Sequence, residues 1–118
     1  MPETFITTAF IPVRDPQSAA AWYSRVLGLE IADAGSFSAV LTGGAGTSVT
    51  LMGPDSGIAA TPGLAWATCN FRVDGLAVKH GELAGQGVPV GPIEGAEEVC
   101  LFFIATDPDG NKLLLTDR

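Results

Sequence analysis

Apolar and polar positions change period several times along this chain, and each change marks an element. Residues Thr4 to Val13 place apolar side chains on both faces of an extended run, which predicts a first strand. Asp15 supplies an N-cap, and Pro16 suits the first turn of a helix. Ala19, Ala20, Trp22, Tyr23, Val26 and Leu27 then recur at helical spacing, and Gly28 closes the helix as a left-handed cap. Leu29 to Ala32, Phe37 to Leu41 and Ser48 to Met52 predict three strands, the last two joined by Gly43-Gly44-Ala45-Gly46. Gly53 to Gly63 is a Gly- and Pro-bearing connector, long enough to border a site.

The same order recurs in the second half. Ala65 to Val73 predicts a strand, and Asp74 can cap a helix running to about Gln86. That helix rests on Leu76, Val78, Leu83 and Ala84 and is weakened by Gly81 and Gly85. Val88 to Val90 predicts a short strand and Glu98 to Ala105 a long one, with Glu97-Glu98 a solvated pair at its start. Asp107-Pro108-Asp109-Gly110-Asn111 has turn chemistry, and Lys112 to Thr116 follows as the last strand. Phe10-Ile11-Pro12-Val13-Arg14-Asp15 is echoed by Phe71-Arg72-Val73-Asp74, and Leu27-Gly28-Leu29 by Gly87-Val88-Pro89. Strand–helix–strand–strand–strand, twice, predicts an α+β fold. The chain reads as one domain of two repeated modules, about 1–53 and 64–118, with a connector over 54–63.

Composition narrows the function. At 118 residues and 47% hydrophobic, the chain can bury a core and does not resemble a disordered segment. Thirteen acids against six bases give a net charge of −7. Such a field repels nucleic acid and anionic membranes, and it is compatible with a cationic or neutral small ligand, or with solubility alone. No run has the length of a membrane span, and the first residues lack the basic and apolar regions of a secretory signal, so a cytoplasmic location is expected. Cys69 and Cys100 sit in apolar runs and read as buried free thiols, with no CxxC or zinc spacing. Nucleophile elbows, phosphate loops and HExxH are absent. Asp107 and Asp109 read as turn formers, and the single histidine, His80, as a packing residue on the second helix.

With Ile11-Pro12-Val13-Arg14-Asp15, Trp22-Tyr23, Val26-Leu27-Gly28-Leu29, Phe71-Arg72-Val73-Asp74 and Asp107-Pro108-Asp109-Gly110-Asn111 in this order, the chain resembles the vicinal oxygen chelate superfamily. That group includes glyoxalase, extradiol dioxygenases, and fosfomycin- and bleomycin-resistance proteins. The resemblance implies two βαβββ modules, each curling into a half-barrel around a cleft and paired across a homodimer. It also implies divalent-metal ligands on equivalent strands, usually His, Glu or Gln. Carried over position by position, those places hold Thr8, Thr68 and Leu114, with Thr50, Leu51 and Met52 near the fourth. A transition ion needs converging imidazole, thiolate or carboxylate donors, so no metal, no cofactor and no catalytic residue is expected.

Alternation in the strands implies the lining of the cleft instead. Thr8 brings Ile6, Phe10 and Pro12 to its side, Thr68 brings Trp66 and Asn70, and Leu114 is flanked by Lys112 and Thr116. The expected ligand-binding set is Thr8, Phe10, Trp66, Thr68, Asn70, Phe102 and Leu114. Phe10 fits core packing or the cleft wall equally, and which of Phe102, Phe103 and Ile104 reaches the cleft stays open. The resulting expectation is metal-independent sequestration of a hydrophobic or aromatic small molecule, such as an antibiotic or toxic natural product, by a homodimer. The alternative is a lyase, isomerase or dioxygenase of the glyoxalase type.

Overall fold

The computed structural model describes residues 3–44 and 46–118. Met1, Pro2 and Ala45, the last within the expected Gly43-Gly44-Ala45-Gly46 turn, lie outside the described residues. The chain divides into two units, Met1–Pro62 and Gly63–Arg118.

The first unit contains β1 (Thr8–Pro12), α1 (Pro16–Leu27), β2 (Glu30–Ala34), β3 (Ser38–Thr42) and β4 (Ser48–Met52). Its sheet has the order β1-β4-β3-β2, with β1 and β4 parallel and the other pairs antiparallel. Ile11, Ala39, Leu41, Val49 and Leu51 occupy one face and are buried together with Ala19, Ala20, Tyr23 and Val26 of α1. Two periods therefore meet in one core: every second strand residue, and the third-or-fourth residues of the helix. Asp15 caps α1 by accepting from the Gln17 backbone N–H at 3.3 Å. At the other end Gly28 takes φ 73° and donates its N–H to the Ser24 carbonyl at 2.9 Å. β1 begins at Thr8 rather than Thr4 because its partner β4 begins opposite it, at Ser48. β2 is an exposed edge strand that runs on to Ala34, past a register shift between Ile31 and Asp33.

The second unit contains β5 (Asn70–Arg72), α2 (Leu76–Gly85), β6 (Glu94–Ala96), β7 (Cys100–Thr106) and β8 (Lys112–Thr116). Its order, β5-β8-β7-β6, repeats the first unit's, again with one parallel pair followed by antiparallel ones. The fold is thus α+β, one βαβββ module per unit. Leu76 and Leu83 of α2 are buried with Val88, Phe103, Ala105, Leu113 and Leu115.

Several expectations for this half are corrected. Asp74 does not cap α2: Gly75 does, at φ 68° and ψ 56°, a left-handed geometry costly for any residue with a Cβ. Asp74 instead pairs with Arg72 at 3.2 Å, both well exposed. Val88 to Val90 forms only an isolated bridge, Val90 to Ala105, because Pro89 lacks the N–H a ladder needs. The short strand β6 was not foreseen, and Glu97-Glu98 lies in the turn between β6 and β7 rather than at a strand start. Ala65 to Cys69 is not strand. Within the connector, Pro54–Ser56 forms one 3-10 turn.

A Cβ at Gly28 would meet nothing within 4 Å, so Gly28→Ala tests backbone strain alone. The expected loss is about 1–2 kcal/mol in urea unfolding, with the slope unchanged.

Candidate ligand-binding site

The site grows out of the turn between β7 and β8. Asp107 Oδ1 accepts the backbone N–H groups of Asp109 at 2.9 Å and Asn111 at 2.8 Å. Its Oδ2 accepts from Asn111 Nδ2 at 2.9 Å. Asn111, only 1% exposed, then turns its Oδ1 outward to receive the N–H groups of Gly63 at 2.9 Å and Leu64 at 2.8 Å. The Leu64 carbonyl in turn accepts from the Lys112 N–H at 2.9 Å. The acid–amide pair that reads as turn chemistry therefore also anchors the segment where the second unit begins.

That anchor makes the next residues leave the sheet. Leu64 is bonded to Lys112, while Asn70 is registered against Leu114. Residues 65–69 have only Leu113 opposite them, too short a stretch of β8 to pair with, so they loop out. This is why the strand expected over Ala65 to Val73 is reduced to β5. The loop carries Trp66, which is 84% exposed.

The loop forms one wall of a pocket of about 800 Å³ within the second unit. Its wall residues are Ala65, Trp66, Ala67, Thr68 and Cys69, and its floor is one face of the sheet. Floor positions follow from the register: Asn70 beside Leu114, Leu114 beside Ile104, Thr116 beside Phe102, with Cys100 and Lys112 at the ends. Phe103 is fully buried on the opposite face, which fixes the phase of β7 and turns Phe102 and Ile104 to the pocket. Asn70 Nδ2 donates to Thr116 Oγ1 at 3.3 Å, and Thr116 Oγ1 donates to the Arg118 carbonyl at 2.8 Å. The floor is thus apolar at its centre and hydrogen-bonding at one end.

Five of the seven expected site residues, Trp66, Thr68, Asn70, Phe102 and Leu114, line this one pocket. Thr8 and Phe10 belong to the first unit's sheet and are not part of that lining. There Thr8 Oγ1 and Thr50 Oγ1 share a hydrogen bond of 2.7 Å, and the Phe10 side chain is exposed rather than in the core. Pro12, expected to face the cleft, is buried. Cys69 and Cys100 are free but half-buried, not core thiols, and both touch the pocket. Partial burial in these apolar surroundings pushes the Cys69 thiol above the usual range. Ile104 and Lys112 complete the lining: Lys112 flanks Leu114 as strand alternation implies, while Ile104 could not be assigned until the buried face of β7 was known. His80 is held away from the pocket lining: its Nε2–H donates to the Gly91 carbonyl at 2.8 Å, and its ring stands edge-on to Phe103 at 4.8 Å.

The Glyoxalase/Bleomycin resistance protein/Dioxygenase superfamily model matches residues 5–115. The chain belongs to this superfamily. Solved structures carry the same fold. One is a superfamily member from Sphaerobacter thermophilus, 24% identical over 97% of each chain, with a TM-score of 0.80. Another is the bleomycin resistance determinant encoded on transposon Tn5, 24% identical over 98% of each chain, with a TM-score of 0.73. A third is the lactoylglutathione lyase of Agrobacterium tumefaciens, 17% identical over 98% of this chain and 95% of that one, with a TM-score of 0.76. No curated protein matches the chain.

The metal that the resemblance implies for enzymes of this group does not fit the donors present. The corresponding positions hold Thr8, Thr68 and Leu114, and the Thr8 hydroxyl is engaged with that of Thr50. Among the described residues, no three His, Cys, Asp or Glu side chains gather into a metal-holding group. Neutral hydroxyls and an aliphatic chain are poor ligands for a divalent transition ion. Among the described residues, no helix is long and apolar enough to cross a membrane.

Asn111→Ala removes the acceptor for two N–H groups at once. The expected cost is about 2–4 kcal/mol in urea unfolding. Amide exchange at Gly63 and Leu64 should accelerate more than exchange in α2, and equal acceleration would mean that Asn111 does not hold the wall.

Proposed function

We propose that this protein binds and sequesters a hydrophobic, aromatic small molecule without using a metal, and does so as a homodimer. An antibiotic or toxic natural product is the kind of molecule meant. The observation that carries the proposal is Trp66, a large apolar ring held almost fully exposed above an apolar floor of Phe102, Ile104 and Leu114. A pocket of about 800 Å³ has the size of a drug-like ligand site. A flat ligand between Trp66 and that floor would bury apolar surface on both its faces and gain a ring-stacking contribution of about 0.5–1.5 kcal/mol. Thr68, Asn70 and Thr116 supply neutral groups to fix its orientation. Such a site works by shape and contact, and needs no proton transfer or nucleophile.

The dimer is supported by apolar residues left open in the first unit, Phe5, Phe37 and Ile6, the last 83% exposed. A partner subunit that covered them would bury that apolar surface. Sedimentation equilibrium is expected to give twice the chain mass, and a monomer at micromolar concentration would remove that part of the proposal.

The main test is calorimetric titration with a panel of polycyclic aromatic drugs, for the wild type and for Trp66→Ala, with and without EDTA. Because Trp66 is exposed, its loss should not unfold the protein. Affinity for any binder is expected to fall about tenfold in the variant. EDTA should change nothing. Lyase, isomerase or dioxygenase chemistry has superfamily membership and fold likeness behind it, and a ligand lost on chelation would favour it over sequestration.

A further inference from the structure

The pocket carries one charged side chain. Among the described residues that line it, Lys112 is the one of a charged type. It sits at the start of β8, opposite Thr106 in the register and on the same face as Leu114 and Thr116. Its Nζ donates to Thr106 Oγ1 at 2.9 Å. Among the described residues, no carboxylate forms an ion pair with it, whereas Arg72 pairs with Asp74 and Lys79 with Glu82. The Asp107 carboxylate, five residues away in the chain, is turned inward onto Asp109 and Asn111.

Resting on the pocket reading above, we propose that Lys112 makes this site selective for an aromatic molecule bearing an anionic group such as a carboxylate, sulfonate or phenolate. An ammonium has three donors, and Thr106 takes one. The other two have no protein partner among the described residues. Beside low-dielectric walls, the attraction of this cation for an anion exceeds its value in open water. A small hydrophilic anion would gain the ammonium but none of the wall, and a neutral ring would gain the wall alone. Only an apolar ring system with an anionic edge uses both. A cationic ligand would meet Lys112 as a like charge.

The chain's net charge of −7 points the other way, since it draws cations from a distance. That field is screened beyond about 8 Å at physiological salt, whereas a direct contact with Nζ is screened far less. The overall charge therefore governs approach, and Lys112 governs which molecule stays.

The test uses two isosteric probes, 2-naphthoate and the neutral 2-naphthamide, titrated calorimetrically into the wild type, Lys112→Met and Trp66→Ala. Naphthoate is expected to bind the wild type about tenfold more tightly than naphthamide. Lys112→Met should erase that preference by weakening naphthoate about tenfold relative to naphthamide. Raising the salt concentration should weaken naphthoate and leave naphthamide unchanged. An unchanged melting temperature verifies that the exposed lysine was not structural, and Lys112→Gln serves as a second variant. If both probes bind through Trp66 with equal affinity, or if Lys112→Met leaves their ratio unaltered, charge selection is overturned and the pocket stands. If neither probe binds at millimolar concentration, the pocket reading and the selectivity fall together.

Discussion

The Asn111 carboxamide is the constraint on which the second unit depends. Its oxygen receives two backbone N–H groups, from Gly63 and Leu64, and its nitrogen donates to Asp107. No other side chain of this size offers two acceptor sites and a donor in one rigid plane: aspartate lacks the donor, and leucine lacks both. Because the group is buried, its bonds have no water to compete with them and no water to replace them. By fixing Leu64 against Lys112 it leaves residues 65–69 without ladder partners and forces them out as a wall. A hydrogen bond in a turn thereby shapes a cavity several residues away.

The two units repeat one topology and differ in how they use it. In the first, Thr8 and Thr50 satisfy each other across the parallel β1–β4 pair. In the second, the equivalent parallel pair β5–β8 is short, because the chain ahead of it has been diverted into the loop that bears Trp66. One βαβββ plan, with different anchoring at its start, thus yields a fully laddered sheet in one half and a walled pocket in the other. Fold likeness to a resistance determinant and to a lyase is compatible with this, since function in such families resides in the side chains a scaffold presents. Here those side chains are rings, aliphatic groups, hydroxyls, an amide, thiols and one ammonium.

Much of the fold was legible from periodicity because local and tertiary preferences agree there. The Asp15 cap, the helical spacing through Leu27 and the Gly28 stop describe α1, and Ser48–Met52 and Lys112–Thr116 have the bounds that their apolar patterns suggest. The elements misread are those where a distant partner overrides the local pattern. Ala65 to Cys69 has strand-like composition, but the bonds from Asn111 and Lys112 remove it from the ladder. β6 has the unpromising sequence Glu94-Gly95-Ala96, and it is strand only because β7 lies beside it. Asp74 has cap chemistry, but a left-handed Gly75 comes between it and the helix.

The amino-acid sequence alone determined the repeated βαβββ order, the superfamily resemblance and the Thr8, Thr68 and Leu114 side chains at the positions that the resemblance picks out, because these depend on residue type and spacing. Tertiary structure decided which residues share a wall. A strand such as Cys100–Thr106 is apolar on both faces, so its composition carries no phase, and only the burial of Phe103 turned Phe102 and Ile104 the other way. Lys112 likewise reads as a flanking charge until β7 places Thr106 beside it and the Trp66 loop rises next to it. Position along a chain sets which side chains are available, and the register between strands sets which of them meet.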